Sequence, residues 1–415
     1  MEEVMIRSIS AAEYENWIDS IEEKSFIQSS YQGIRMSADN WDVSFLAYLE
    51  HDEIAACAML CMRPLMKVFR FAYIPGGILT KRKDQALYQS FFQELKEDLK
   101  KKKVVFLKTD PYAVYQNRDQ NGDVLSTDDS IIKIYQACGF EHEPMTAGYD
   151  LKNQVRWMSI LELEGKNEDQ IFKEMEAQTR RNIKNALKYC VRVRKLAREE
   201  LGILQDMVQK SADRHHFSIF SLHYYEEMYD IFKDHAQAYY AYLDLNDYQN
   251  DLQKQKEEEE RVIAEAQKSL ASNPNSKNSK NRLKVAQSHL ESLENRIQEA
   301  RDLKSQYGDE IGLAASMFVF YGQEVVYLMS GSDDRFKRFH GPYALQWFSI
   351  RKAIQEGYKK YNFYGISGLF NPEDEGYGVF SFKRGFNAHV VELVGSFDLP
   401  LHPALYKVYK KKNGL

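Results

Sequence analysis

Between residues 248 and 306 glycine, tryptophan and phenylalanine vanish, and charged residues alternate with Leu, Ile, Val and Ala. Leu283, Ala286, Leu290, Leu293, Ile297 and Ala300 recur at spacings of three and four, a rhythm that lays one narrow apolar seam along a helix. Leu252, Ile263, Ala266 and Leu270 supply a second, less regular seam, and the Ser- and Asn-rich stretch Ala271 to Lys280, with Pro274, breaks the helix between them. The pattern predicts an antiparallel coiled-coil arm over 248–306. Each helix of about 25 residues would reach ~37 Å.

Outside the arm the apolar runs follow one order twice. Val43 to Leu49 and Ile54 to Met62 read as a strand pair, followed by a helix from Gln85 to Lys100, a strand from Val104 to Lys108, and a helix closing at Gly139 and Phe140. Leu313 to Phe320 and Glu324 to Met329 then form a hairpin around Tyr321-Gly322-Gln323. A helix from Tyr343 to Gly357 and a strand from Tyr361 to Tyr364 follow, and this copy closes at Gly385 and Phe386. Between the copies, Trp157 to Leu163 reads as a strand, Glu168 to Tyr189 as one amphipathic helix carrying the basic run Arg180 to Lys184, and residues 190–196 as a half-exposed strand. This order predicts an α/β protein with two acetyltransferase-like domains on mixed central sheets, plus the inserted arm. The first domain is expected over 1–153, with a C-terminal crossover near 390–415, and the second over 154–247 and 307–415.

Composition narrows the function. The 415 residues are 44% hydrophobic and 28% charged, with 27 Tyr and 23 Phe, enough for two large cores. Cys57, Cys61, Cys138 and Cys190 lack the paired spacing of a zinc site and read as reduced core thiols. The chain opens on Met1 and Glu2 without an apolar signal region, and no run approaches ~20 apolar residues, so a cytoplasmic location is expected. A net charge of -5 argues against indiscriminate coating of nucleic acid but allows a local basic groove.

No nucleophile elbow, Walker loop, paired-histidine helix or metal cluster is present, so neither cofactor nor metal is expected. The adjacent His215 and His216 cannot both point into one site from a helix and are set aside. The stretch Tyr361 to Phe370 (YNFYGISGLF) puts Gly365, Ser367 and Gly368 just past a strand, where backbone amides can approach a ligand closely; a simple tight turn fits equally well. Twelve residues past Phe370 comes Phe382, and Lys383 and Arg384 lie between it and Phe386. A lysine among phenylalanines suits a phosphate or a developing oxyanion, because desolvation strengthens that attraction.

The blocks GPYALQWFSIRKAIQEGYKKYNFYGISG and FKRGFNAHVVELVGSF, spanning Gly341 to Phe397, resemble the Fem aminoacyltransferase family, as do AACAML near Ala55, MKVFRF at Met66, TDPY at Thr109 and TRRNIKNA at Thr179. The resemblance runs nearly end to end and implies two acetyltransferase-like domains, with a helical arm in the second. It implies transfer of an amino acid from aminoacyl-tRNA to an amine on the stem peptide or growing bridge of a lipid-linked muropeptide precursor, peripherally at the inner membrane face. Ester aminolysis needs little beyond orientation, proton uptake and oxyanion stabilisation, which is consistent with the missing triad.

By that resemblance Lys383 corresponds to the family lysine at the tRNA end, with Phe382 beside it; Tyr364, Gly365 and Ser367, from the stretch after the strand, are the further substrate-binding candidates. Asp110 corresponds to the aspartate near the acceptor pocket, and Arg35 and Tyr224 to acceptor-binding residues. Three positions depart from the family pattern. Arg35 stands where lysine is usual, Phe220 where an arginine usually precedes the tyrosine matching Tyr224, and Gly76 where the turn is usually Pro-Arg-Gly or Asn-Arg-Gly. Either the acceptor differs, for instance by already carrying one added residue, or Arg63 and Arg214 compensate. A transferase using another activated donor and a non-catalytic scaffold of a bridge-forming complex stay open as alternatives, as do homodimer and heterodimer contacts with related transferases.

Overall fold

The computed structural model describes residues 5–66, 68–149, 153–215 and 217–413; Met1, Glu2, Lys67 and His216 lie outside the described residues. Among these, the chain forms two mixed sheets of eight and nine strands. The first sheet runs in the order Met5–Ile9, Asp42–Glu50, Glu53–Met66, Phe69–Gly76, Val104–Pro111, Phe397–Pro400 and Glu141–His142, with Leu79–Thr80 paired to Glu53–Met66. The second runs Val191–Lys195, Ala236–Asp244, Glu310–Tyr321, Glu324–Ser332, Lys360–Gly365, Trp157–Glu162, His389–Leu393, Val114–Arg118 and Val124–Thr127.

Each sheet contains one parallel pair, Phe69–Gly76 with Val104–Pro111 and Glu324–Ser332 with Lys360–Gly365. Parallel neighbours need a crossover, supplied by the helices Gln85–Lys101 and Gly341–Gln355. The duplication is therefore a repeated strand–helix–strand unit. In the first copy the strand Phe69–Gly76, not anticipated from the sequence, completes it. The carboxyl ends of such a pair are where α/β sheets usually place ligands. Here those ends carry Asp110 in one copy and Tyr364 and Gly365 in the other.

The sheets exchange strands. Val114–Arg118 and Val124–Thr127, which follow the first parallel pair in sequence, extend the second sheet through His389–Leu393. In return Phe397–Pro400 lies between Val104–Pro111 and Glu141–His142 of the first sheet. The helix Pro403–Asn413 packs Tyr406 against Val105 and Phe106. Arg118 seals the exchanged hairpin by pairing with buried Glu392 at 3.1 Å and lying over the Trp157 ring.

The inserted arm is an antiparallel pair of helices, Leu245–Ser272 and Lys277–Tyr307. Its tip is shorter than the expected break, because Ser276 caps the second helix by accepting from the Ser279 amide. Leu252, Ala266, Ala286, Leu293, Ile297 and Ala300 are buried along the seam. At its base Leu245, Tyr248, Leu252, Leu293 and Ile297 merge with the core of the second sheet, which anchors so thin a seam.

The expected single helix 168–189 is two, Glu168–Glu174 and Ala177–Lys188. Met175 turns extended to bury its side chain, and the Glu176 amide donates to Gly385 O at 3.0 Å, which a continuous helix would forbid. Cys57, Cys61 and Cys138 are free and buried, and Cys190 is free and half-buried. Among the described residues no helix is long and apolar enough to cross a membrane.

Candidate active site

Lys383 sits in the last turn of the short helix Tyr377–Arg384 and is buried. Its Nζ donates to the carbonyls of Tyr364 at 3.2 Å and Gly365 at 2.6 Å. No carboxylate accompanies it, and burial alone lowers its ammonium from the usual lysine range to about 7. The amine therefore exchanges a proton near neutrality while two carbonyls fix its direction.

Those carbonyls are available because the strand Lys360–Gly365 ends in a kink. Tyr364 adopts φ of 62°, a left-handed conformation that costs a tyrosine about 1 kcal/mol or more. Asn362 holds it there, its Oδ1 accepting from the Tyr364 amide at 2.8 Å. The Asn362 amide group in turn donates to Glu324 Oε2 at 2.9 Å, and Tyr112 Oη donates to the same buried carboxylate at 3.0 Å. Burial pushes the Glu324 carboxyl up. Tyr112 belongs to the TDPY stretch, so this network joins the first parallel pair to the second.

Asp110 ends its strand buried, with Tyr73 Oη donating to one oxygen at 2.6 Å and the Gly76 amide to the other at 2.9 Å. Burial raises it to about 6 in spite of those two bonds. Gly76 has φ of 72°, and Gln28 fills the space beside it, donating to Gly76 O at 2.9 Å. A Cβ on Gly76 would meet Gln28 Cγ at 2.3 Å. The missing arginine of this turn thus accompanies a glutamine that covers the position.

Two clefts meet at Tyr364. A narrow one of about 20 Å³ is lined by Asp110, Tyr112, Val155 and Tyr364. An open groove of about 690 Å³ runs past Lys383, Phe382, Tyr343, Tyr364 and Gly365, with Arg214, His215, Lys337 and His340 on its walls. Asp333, also on the groove, is held near 2 by Arg335 and Lys210 and so contributes a fixed anion already paired.

The structure brings Lys383, Phe382, Tyr364 and Gly365 together, and Asp110 to the other side of Tyr364. Arg35 and Tyr224 meet each other, the guanidinium lying 5.1 Å from the ring centroid while its NH1 pairs with Asp39 at 2.8 Å. Phe220 stacks on the same ring at 4.1 Å, so the residue replacing an arginine adds aromatic surface there. Ser367 is buried, its Oγ accepting from the Leu369 amide, and it lines neither cleft. Arg63 lies on Trp41, and Arg214 pairs with Asp334 beside the Lys383 groove. Glu324, Asn362, Tyr112 and Tyr73 carried no local sequence signal as a group. They converge only through folding.

The FemAB family model matches residues 9–412. Aminoacyltransferase FemA of Staphylococcus epidermidis is 30% identical over 406 residues, covering 97% of each chain. Aminoacyltransferase FemA of Staphylococcus aureus strain N315 is 30% identical over 405 residues, covering 97% of this chain and 96% of that one. The crystal structure of FemX superposes with a TM-score of 0.84 at 21% identity, covering 97% of this chain and 99% of that one, a likeness of fold. A family model matched over nearly the whole length, with relatives 30% identical across 97% of the chain, makes this chain an aminoacyltransferase belonging to the FemAB family.

Proposed function

We propose that the protein transfers an amino acid from aminoacyl-tRNA to an amine on the stem peptide or growing bridge of a lipid-linked peptidoglycan precursor, working at the inner face of the membrane. The buried Lys383 amine, its ammonium disfavoured by burial, inside a groove walled by aromatics and cations, is the observation that carries this reading. Phe382 and Tyr343 offer stacking faces for unpaired bases, and Arg214, His215 and Lys337 suit a phosphate backbone.

In the reaction the acceptor nitrogen attacks the ester carbonyl carbon, and a tetrahedral oxyanion forms. The carbon–oxygen bond to the terminal ribose then breaks, and an amide and a free ribose hydroxyl result. The nitrogen loses one proton and the ribose oxygen gains one. Lys383 is suited to stabilise the oxyanion as ammonium and to relay that proton. Asp110, raised toward neutrality and opening on the narrow cleft, would hold the acceptor amine uncharged before attack. Arg35 and Tyr224 would bind the acceptor's phosphate and peptide region, where the two usual arginines are absent.

The test is transfer of radiolabelled amino acids from a charged total-tRNA pool to lipid-linked precursor, with and without one bridge residue. Ribonuclease-sensitive labelling is expected. Absence of transfer to either acceptor by well-folded protein would overturn the reading.

A further inference from the structure

The basic run in the middle of the chain takes no part in the site just described. Its helix, Ala177–Lys188, contains Arg180, Arg181, Lys184 and Lys188 and no acidic residue, in a chain whose net charge is -5. Thr179, Asn182, Ile183 and Ala186 are buried against the core, which turns Arg181, Lys184 and Lys188 outward on the opposite face at spacings of three and four. All three are exposed.

Several neighbouring cations are ion-paired within the chain, Arg192 with Asp247, Arg194 with Glu200, Arg351 with Glu168 and Arg384 with Glu176, and Arg180 is turned onto the carbonyls of Lys173 and Met175. Among the described residues, Arg181, Lys184 and Lys188 make no ion pair; Lys184 only lies over the Phe172 ring. Three free cations in a row on one helix face raise the local potential and favour a polyanion over a single acidic group.

The position of this helix decides which polyanion. Its first turn is fixed to the segment just after Lys383, through the Glu176 amide to Gly385 O at 3.0 Å and the close approach of Thr179 to Gly385. A Cβ on Gly385 would come within 2.4 Å of Thr179 Oγ1, so the two segments are in direct contact. From that contact the row from Arg181 to Lys188 extends ~10 Å along the helix axis. A transfer RNA whose single-stranded end reaches Lys383 continues as duplex away from it, and an A-form duplex is met largely through its phosphates and 2′-hydroxyls.

We propose that Arg181, Lys184 and Lys188 form a docking stripe for the phosphate backbone of the donor RNA's acceptor stem. The inference rests on the reading of the donor as aminoacyl-tRNA. The stripe binds without reading bases, so it serves donors of any sequence, while the Lys383 groove handles the aminoacylated end.

The experiment compares the full chain with its Arg181→Ala/Lys184→Ala/Lys188→Ala variant on two donors: full-length aminoacyl-tRNA and an aminoacylated oligonucleotide carrying only the unpaired 3′ end. With tRNA the variant should show at least a tenfold higher KM with kcat unchanged. Its salt slope, log K against log salt concentration, should shrink by about 2 to 3, as expected for the loss of three phosphate contacts. With the short donor, KM should match that of the unaltered protein, which also controls for folding. Equal KM and equal salt slope for the two proteins on tRNA would overturn the stripe. Equal losses on both donors would overturn it too, by placing the effect at the groove. Failure of the unaltered protein to use either donor is a different result and removes the aminoacyl-tRNA reading itself.

Discussion

Replacing Lys383 by Met removes an amine that the fold buries beside two carbonyls and no carboxylate. An ordinary lysine titrates at 10.5, this one at about 7. Between those values the unfolded chain binds more protons than the folded one, so stability rises with pH across the window from about 7 to 10.5 and is lowest below it. Worked through, burial of the ammonium costs roughly 5 kcal/mol at pH 6 and about 2 kcal/mol at pH 9, a difference of about 3 kcal/mol. Met carries no such dependence. It forfeits two hydrogen bonds and leaves the Tyr364 and Gly365 carbonyls unpaired, a constant cost of about 1–3 kcal/mol at every pH. The variant should therefore gain on the unaltered protein as pH falls, by about 3 kcal/mol between pH 9 and 6. Urea unfolding followed by fluorescence across that range, reading the transition of the second sheet, gives the difference directly. Parallel stability profiles for the two proteins would refute the reasoning, because they would mean that the native ammonium is solvated. The same substitution should lower kcat at least 100-fold, and Lys383→Arg should not rescue it, since a guanidinium stays charged and cannot relay a proton. Full kcat in Lys383→Met would take this amine out of the chemistry.

Asn362→Ala should lower kcat by more than tenfold with the fold retained, measured by transfer assay and circular dichroism, because the Asn362 Oδ1 accepts from the amide of the left-handed Tyr364 and fixes the kink. Gly76→Arg, which restores the usual family residue, should destabilise the first sheet by about 2–4 kcal/mol through left-handed strain and collision with Gln28. Adding Gln28→Ala should recover part of that loss in urea unfolding. Tyr406→Phe removes the hydrogen bond at 2.7 Å to buried Asp398, whose other oxygen is already unpaired. Burial raises the Asp398 carboxyl, so the protonated form is tolerated and the cost should be larger near pH 8 than near pH 5 in thermal unfolding.

How far the sequence carries the site depends on how local each signal is. Lys383 is legible because a lysine between two phenylalanines in the chain, Phe382 and Phe386, marks an apolar segment. Asp110 comes from family resemblance, since an aspartate before a proline is by itself an ordinary turn residue. Arg35 and Tyr224 come only from family resemblance, since their contact joins helices far apart in sequence. Glu324 shows the limit. After Tyr321-Gly322-Gln323 it reads as a hairpin residue, and its partner Tyr112 is 212 positions away. The hairpin Val114–Arg118 with Val124–Thr127 escaped notice for a related reason: it lies at a sheet edge and is largely exposed, so it carries no apolar alternation. Ser367 was expected at the ligand because small residues follow a strand there, yet the same smallness lets it bury.

The strand exchange explains why one chemistry can be divided between two copies of one unit. Each parallel pair ends in a polar residue at the seam, Asp110 in one and Tyr364 in the other, but two separate domains would let that seam breathe. Here Val114–Arg118 leaves the first unit three residues after Pro111 to join the second sheet, and Phe397–Pro400 returns from the second to pair with the strand that bears Asp110. The Tyr112 hydroxyl on Glu324 closes the loop between them. A displacement of either sheet must therefore break main-chain ladders as well as side-chain contacts. Asp110 and Lys383 are thus held at a fixed separation by backbone pairing, which is what the roles proposed for them require, since ester aminolysis depends chiefly on orientation.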